Sequence, residues 1–134
     1  MQFSPINLSA VVIGTFATMA FGFLWYAPWV FGRKWQKHTG MTNDKMNRGS
    51  VIMKFGPAIL LMFAMGLVLA AYLPVALNWE QGAFGGLLMG AGVGATSIGM
   101  HYLFAKRSVH LFLIDAGYVV ISMTIFGAII AAMS

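Results

Sequence analysis

Cysteine is missing from this sequence of 134 residues, and charged side chains are scarce. Without cysteine, the chain forms no disulfide bonds, carries out no thiol redox chemistry and binds no metal or cluster through thiolates. Its eight basic and three acidic residues make up 8% of the sequence, whereas a soluble domain carries about 25% charged residues. This number of ionised side chains is too small to cover the surface of a soluble protein of this size. The composition therefore indicates a surface that faces lipid.

Sequence patterns of catalysis are absent as well. The sequence has no phosphate-binding loop, no set of nucleophile, histidine and acid, and no cluster of metal ligands. We therefore predict no catalytic residues, no metal site and no cofactor.

Four apolar runs predict four membrane-spanning helices, because roughly 20 apolar residues are needed to cross a bilayer as a helix. The predicted spans are 8–27, 51–73, 83–104 and 109–133. The fold class that follows is an all-α integral membrane protein, with the four helices in one compact bundle that makes up a single domain, 1–134. Pro28 should end the first helix, and Pro57 should kink the second.

The basic residues predict the orientation of this bundle. Every Lys and Arg lies within 33–54 or at 106–107, which is on the loops that follow spans one and three or, for Lys54, at the adjoining start of span two. Short loops rich in Lys and Arg stay in the cytoplasm, so the loop 32–50 should be cytoplasmic and both termini outside. The net charge of +5 is then a signal of topology and not of nucleic-acid binding. The one-sided distribution also argues against a transporter that inserts in both orientations.

The ends of the spans carry residues that suit the membrane surface. Tryptophan and tyrosine favour the level of the lipid head groups, and the predicted interface anchors are Trp25, Tyr26, Trp29, Trp35 and Trp79. Basic side chains at this level attract anionic head groups, and the candidates for that contact are Arg33, Lys34, Lys106 and Arg107.

Two stretches resemble the signatures of a known family. The first runs from Trp25-Tyr26-Ala27-Pro28 through Phe31-Gly32 to Trp35, and the second combines Tyr102-Leu103-Phe104 with the segment 111–118, Leu-Phe-Leu-Ile-Asp-Ala-Gly-Tyr. Together they resemble a family of small bacterial membrane proteins catalogued as domain of unknown function 1761. The resemblance covers nearly the whole chain and implies four helices in the cytoplasmic membrane of a bacterium. It implies no activity and no site residues.

Glycines recur at every fourth position of span three, at Gly82, Gly86, Gly90 and Gly94. Residues four apart share a helix face, and small residues on one face let membrane helices approach closely. Span one has a weaker version that includes Gly14 and Gly22. We interpret both faces as helix-packing surfaces, within one chain or between copies. The alternative is a flat face that admits a lipid, a pigment or another ligand.

Asp115 is the one acid inside a predicted span. A charge at that depth is costly and should face the bundle interior or water, together with Tyr118 and Ser122 on the same face. His101 lies as far before Ser108 as Asp115 lies after it, so the two side chains meet across a tight hairpin if their helix faces agree. The alternative is that His101 is a lone polar side chain at the helix end that reaches interfacial water. Asp115 is either a structural acid, bonded to a neighbouring helix or paired with Lys54 or Arg107, or a site for a proton or cation.

Three functions remain open on this basis. The first is a small transporter or channel that works as a homo-oligomer and uses an intramembrane site of Asp115 and His101. The second is an accessory or binding subunit that packs against a larger membrane complex through its glycine-rich helix. The third, with the least support, is a membrane enzyme that modifies lipid. The partners expected in every case are membrane lipid and further protein subunits, and not nucleic acid.

Overall fold

The computed structural model describes residues 5–42, 51–74 and 77–134, without the side chains of residues 51 and 52. Within these ranges the chain is helical and has no strand, and four of its helices are long and apolar enough to cross a membrane. The predicted all-α class with four spanning helices is therefore confirmed. The α-helices are α1 (Leu8–Trp25), α2 (Arg33–Thr39), α3 (Val51–Tyr72), α4 (Trp79–Met89), α5 (Thr96–Phe104) and α6 (Val109–Ala132).

A π-helical turn, Pro28–Gly32, joins α1 to α2. Pro28 opens this turn because proline has no backbone N–H to satisfy at a helix start, and the preceding Ala27 is extended. The N–H of Gly32 donates to the carbonyl of Ala27 over 2.9 Å. A side chain at position 32 would collide with the carbonyl oxygen of Tyr26, so this turn requires glycine. The predicted loop 32–50 thus begins as a helix, and its residues 43–50 lie outside the described ranges.

The third span begins at Trp79, four residues before the predicted start. Asn78 and Gln81 form a reciprocal capping box, in which each side chain accepts a hydrogen bond from the other residue's backbone N–H. Such a box satisfies N–H groups that a helix start leaves unpaired, and it explains the earlier start. A second π-helical segment, Gly90–Ala95, joins α4 to α5, so the span continues to Phe104.

The last helix, α6, is the central element of the described chain. It packs against both α4 and α1, and α1 also packs against α3. Phe126 of α6 is fully buried, and its ring lies where side chains at Gly14 of α1 and Gly66 of α3 would stand. Since lipid is as apolar as these side chains, such close van der Waals packing, and not exclusion of water, holds membrane helices together.

Each end of the bundle has its own polar contacts between helices. At one end, the side-chain amide of Asn7 donates to the carbonyl of Met133 over 3.0 Å. At the other, the hydroxyl of Ser108 is hydrogen-bonded to Nδ1 of His38 at 3.1 Å, and the ring of His38 stacks on that of His110. The start of α1 and the end of α6 therefore share one end of the bundle, and α2 with the turn before α6 shares the opposite end.

Candidate functional site

The two signature stretches meet where α1 ends against α6. The indole N–H of Trp25 donates to the carbonyl of Ile114 over 2.9 Å, and the hydroxyl of Tyr26 donates to Oδ1 of Asp115 over 2.6 Å. The indole of Trp25 also lies over Gly117, where an added methyl group would stand 3.1 Å from it. The residues that carry the family resemblance therefore build one contact between the first and the last span.

Two phenols hold the carboxylate of Asp115. The hydroxyl of Tyr26 donates to one carboxylate oxygen and the hydroxyl of Tyr102, on α5, donates to the other. Hydrogen bonds that end on a charged acceptor are stronger than neutral ones, so the phenols offset part of the cost of placing a charge among apolar helices. Tyr26 follows the last residue of α1 and is half-buried beside Asp115.

Tyr118 and Ser122 follow Asp115 along α6. The hydroxyl of Tyr118 donates to the carbonyl of Thr18 over 3.1 Å, and its ring packs edge-on against Tyr26 with the centroids 5.4 Å apart. Ser122 is fully buried, and its hydroxyl has no hydrogen-bond partner within the described part of the chain. Tyr118 thus lies beside Asp115, whereas Ser122 belongs to the packed interior.

His101 does not meet Asp115, contrary to the expectation from the hairpin. Its side chain is exposed, and the next residue, Tyr102, reaches the carboxylate instead. The reason is the π-helical segment Gly90–Ala95, which holds more residues per turn than an α-helix. A π-helical turn contains one residue more than the α-helical spacing assumes. The residue that continues the glycine face beyond this segment is therefore Tyr102 and not His101. The site is therefore one acid between two tyrosines.

The predicted interface anchors divide into two groups. Trp29 and Trp79 are exposed, as residues at a membrane surface would be. Trp25, Tyr26 and Trp35 are half-buried instead. Trp25 and Tyr26 donate hydrogen bonds to α6, and the ring of Trp35 packs edge-on against Tyr26. The head-group candidates are all exposed: Arg33, Lys34, Lys106 and Arg107.

The glycine faces lie mainly against α6. Side chains at Gly86 and Gly82 would collide with the backbone of Met123 and Gly127, and one at Gly90 would press on Val120. Gly94 lies against Val119 in the same way, and on α1 Gly22 lies against Tyr118 while Gly14 faces the ring of Phe126. These glycines therefore border helices of the same chain.

A cavity of about 680 Å³ opens beside Asp115, between α1, α2, α3 and α6. Asp115, Lys54 and Gln36 supply polar groups to its wall, and the rest of the wall is mostly apolar or aromatic. A volume of this size is typical of a small-molecule site. The other lining residues are Met19, Gly22, Phe23, Tyr26, Pro28, Gly32, Trp35, Phe55, Ala58, Leu61, Met62 and Tyr118.

Sequence reasoning missed Tyr26 and Tyr102 as partners of the acid, and Lys54 as part of a cavity wall. For Tyr26, the sequence does contain a signal that could have identified it, namely its place in the signature stretch directly before Ala27-Pro28. Within the described ranges, no three His, Asp or Glu side chains come together as metal ligands.

These features define the class of the protein. Four apolar helices, a central last helix and an acid held between phenols describe a multi-pass α-helical membrane protein. The chain belongs to the family of proteins of unknown function DUF1761, whose model matches residues 9–131. The chain matches no curated protein and no solved structure.

Proposed function

We propose that this protein is a small transporter that takes an amphiphilic molecule from the membrane into the cavity beside Asp115. The observation that carries the proposal is the cavity itself, in which the charged Asp115 and Lys54 stand in a wall that is otherwise mostly apolar or aromatic. A charged residue within a membrane protein marks a candidate substrate or ion site. A molecule with one polar and one apolar end matches this division of the wall.

The cavity lies in the half of the bundle near α2 and does not involve the residues of the opposite half. Movement across the membrane therefore requires part of the wall to shift. The best candidate is α3, which contacts α6 little and carries Pro57 next to the lining residue Ala58. A proline inside a helix removes a backbone hydrogen bond and lets the helix bend there.

The setting of the transporter follows from the charges and from the family. We propose that it lies in the cytoplasmic membrane of a bacterium, with α2 and the turn before α6 in the cytoplasm and both termini outside. We also propose a homo-oligomer, since a single set of four helices encloses little space beyond one cavity. Such an assembly would place the substrate site in each subunit and leave the lipid-facing surface of α3 or α5 for contacts between copies.

An accessory subunit of a larger complex is the second candidate function. It rests on the glycine-rich helix, but Gly82, Gly86 and Gly90 border α6 of the same chain. A partner would therefore have to use the other side of the helix, where a side chain at Gly92 would meet open space. A lipid-modifying enzyme has less support, because Asp115 is accompanied by phenols and not by a nucleophile or a set of metal ligands.

The test fills the cavity and asks whether a bound molecule is lost. Ala58 is half-buried in the cavity wall, whereas Leu60, two residues along α3, is 69% exposed and outside the wall. The protein purified in mild detergent is compared with Ala58→Trp and with the control Leu60→Trp by native mass spectrometry. We expect the wild type and Leu60→Trp to retain an amphiphile that Ala58→Trp lacks. Equal retention by all three proteins would contradict the proposal.

A further inference from the structure

The polar part of the cavity wall carries both signs of charge. Asp115 contributes a carboxylate from α6, Lys54 contributes an ammonium group from α3, and Gln36 adds an amide from α2. We infer that the amphiphile bound here is a phospholipid whose head group carries a primary ammonium as well as a phosphate. This inference rests on the proposed function and names the class of molecule that the cavity selects.

The ammonium of such a head group suits Asp115. Each carboxylate oxygen accepts one hydrogen bond from a phenol, of Tyr26 or of Tyr102, and each has capacity for another. A primary ammonium has three N–H donors, and its bonds to a carboxylate are charge-assisted. A trimethylammonium has no N–H and cannot make them. Aromatic rings near the acid, such as those of Trp35 and Tyr118, add a favourable environment for a cation.

The phosphate of the head group suits Lys54 and Gln36. Lysine binds phosphate as a point charge, and an amide N–H adds a directed hydrogen bond. Lys54 is exposed near the start of α3, and Gln36 is half-buried on α2, so the two lie on neighbouring walls of the cavity near the basic end of the bundle. A head group with both charges can place its ammonium at Asp115 and its phosphate beside Lys54, an arrangement that a purely anionic or purely cationic molecule does not offer.

The acyl chains have an apolar route out of the cavity. Phe23 on α1 and Leu61 on α3 line the cavity and are also 60% and 68% exposed. In a spanning helix, exposed apolar side chains face lipid, so the cavity wall continues into the lipid-facing surface between these two helices. A lipid can therefore place its head group beside Asp115 and keep its chains in the bilayer.

The experiment measures how the head group changes binding. Phospholipids with a fluorescent acyl chain and an ethanolamine, choline or glycerol head group are titrated into the detergent-solubilised protein. For the wild type we expect the ethanolamine lipid to bind about tenfold more tightly than the other two, which corresponds to about one charge-assisted hydrogen-bonded contact. Asp115→Asn should remove this preference, and Lys54→Gln should weaken binding of all three lipids.

The outcomes separate the inference from the proposed function. Equal binding of the ethanolamine and glycerol lipids to the wild type overturns the role of Asp115, and equal binding of the choline lipid overturns the requirement for N–H donors. The comparison within the wild type needs no variant to fold, and Asp115→Glu, which keeps the charge, should keep part of the preference. If Ala58→Trp binds every lipid as the wild type does, no amphiphile occupies the cavity and the proposed function fails as well.

Discussion

The hydroxyl of Tyr26, just beyond the end of α1, donates a hydrogen bond of 2.6 Å to Asp115 on α6, 89 residues further along the chain. Next to it, the indole of Trp25 donates to the carbonyl of Ile114. The two contacts fix the end of the first span against the start of the last. They also place the acid at the wall of the cavity, so the same residues support the fold and the candidate site.

Removing the hydroxyl group from position 26 tests how much its hydrogen bond to Asp115 contributes to stability. Tyr26→Phe should lower the free energy of unfolding by about 1–2 kcal/mol, because a hydrogen bond to a charged group is lost while the ring is kept. Equilibrium unfolding in mixed detergent micelles measures the change. Because Tyr26 and Tyr102 bind the same carboxylate, the double change with Tyr102→Phe should be non-additive. Strict additivity would mean that the two phenols act independently of each other, which would contradict their coupling through the shared carboxylate.

Trp25 and Trp29 offer a matched pair. Trp25→Phe removes the hydrogen bond to Ile114 and part of the cover of Gly117, whereas Trp29 is 79% exposed. We expect Trp25→Phe to destabilise the protein by about 1 kcal/mol or more and Trp29→Phe to leave the unfolding midpoint nearly unchanged. A larger effect from Trp29 would show that anchoring at the membrane surface outweighs the contact between the spans.

The glycine face of α4 should tolerate no side chain. Gly86→Ala would place a methyl group on the carbonyl of Met123, whereas a methyl group at Gly92 meets nothing within 4 Å. Gly86→Ala should therefore reduce the yield of folded protein and its melting temperature, while Gly92→Ala should behave as the wild type. Detergent thermal-shift measurements decide between these results. Equal tolerance at both positions would contradict the close contact of α4 with α6.

The four spans could be predicted from the sequence because the length of an apolar run and the position of a proline are local properties. A helix of roughly 20 apolar residues is the structure that leaves no backbone group unsatisfied in lipid, and Pro28 interrupts the chain wherever the rest of the protein lies. Glycines at intervals of four likewise mark a face for close approach before its neighbour is known.

The site depended on features that the sequence pattern does not carry. The position of Tyr102, and not His101, beside Asp115 depends on the π-helical segment Gly90–Ala95, for which the sequence provides no recognised signal. Tyrosine is also common at membrane surfaces, so the position of Tyr26 at the end of a span favoured an interface role. The cavity arises between α1, α2, α3 and α6, and no local pattern describes a space between helices.

The orientation can be tested with single cysteines, since the sequence has none of its own. Glu80, Thr42 and Ser134 are exposed. Glu80 lies in the first turn of α4, Thr42 follows α2 and Ser134 follows α6. A membrane-impermeant thiol reagent added to intact cells should label Glu80→Cys and Ser134→Cys but not Thr42→Cys. Labelling of Thr42→Cys alone would reverse the orientation, and the proposed transporter would then take up its substrate from the opposite side.

The most direct test of the central claim is movement of a lipid probe across a membrane that contains the protein. Vesicles carry acyl-labelled phospholipids with ethanolamine or glycerol head groups, and an impermeant reductant destroys the label in the outer leaflet. We predict that wild-type protein and Leu60→Trp expose the inner-leaflet label of at least one probe, while Ala58→Trp and protein-free vesicles protect it. Protection of both probes by the wild type, or equal loss with Ala58→Trp, would contradict transport through the cavity beside Asp115.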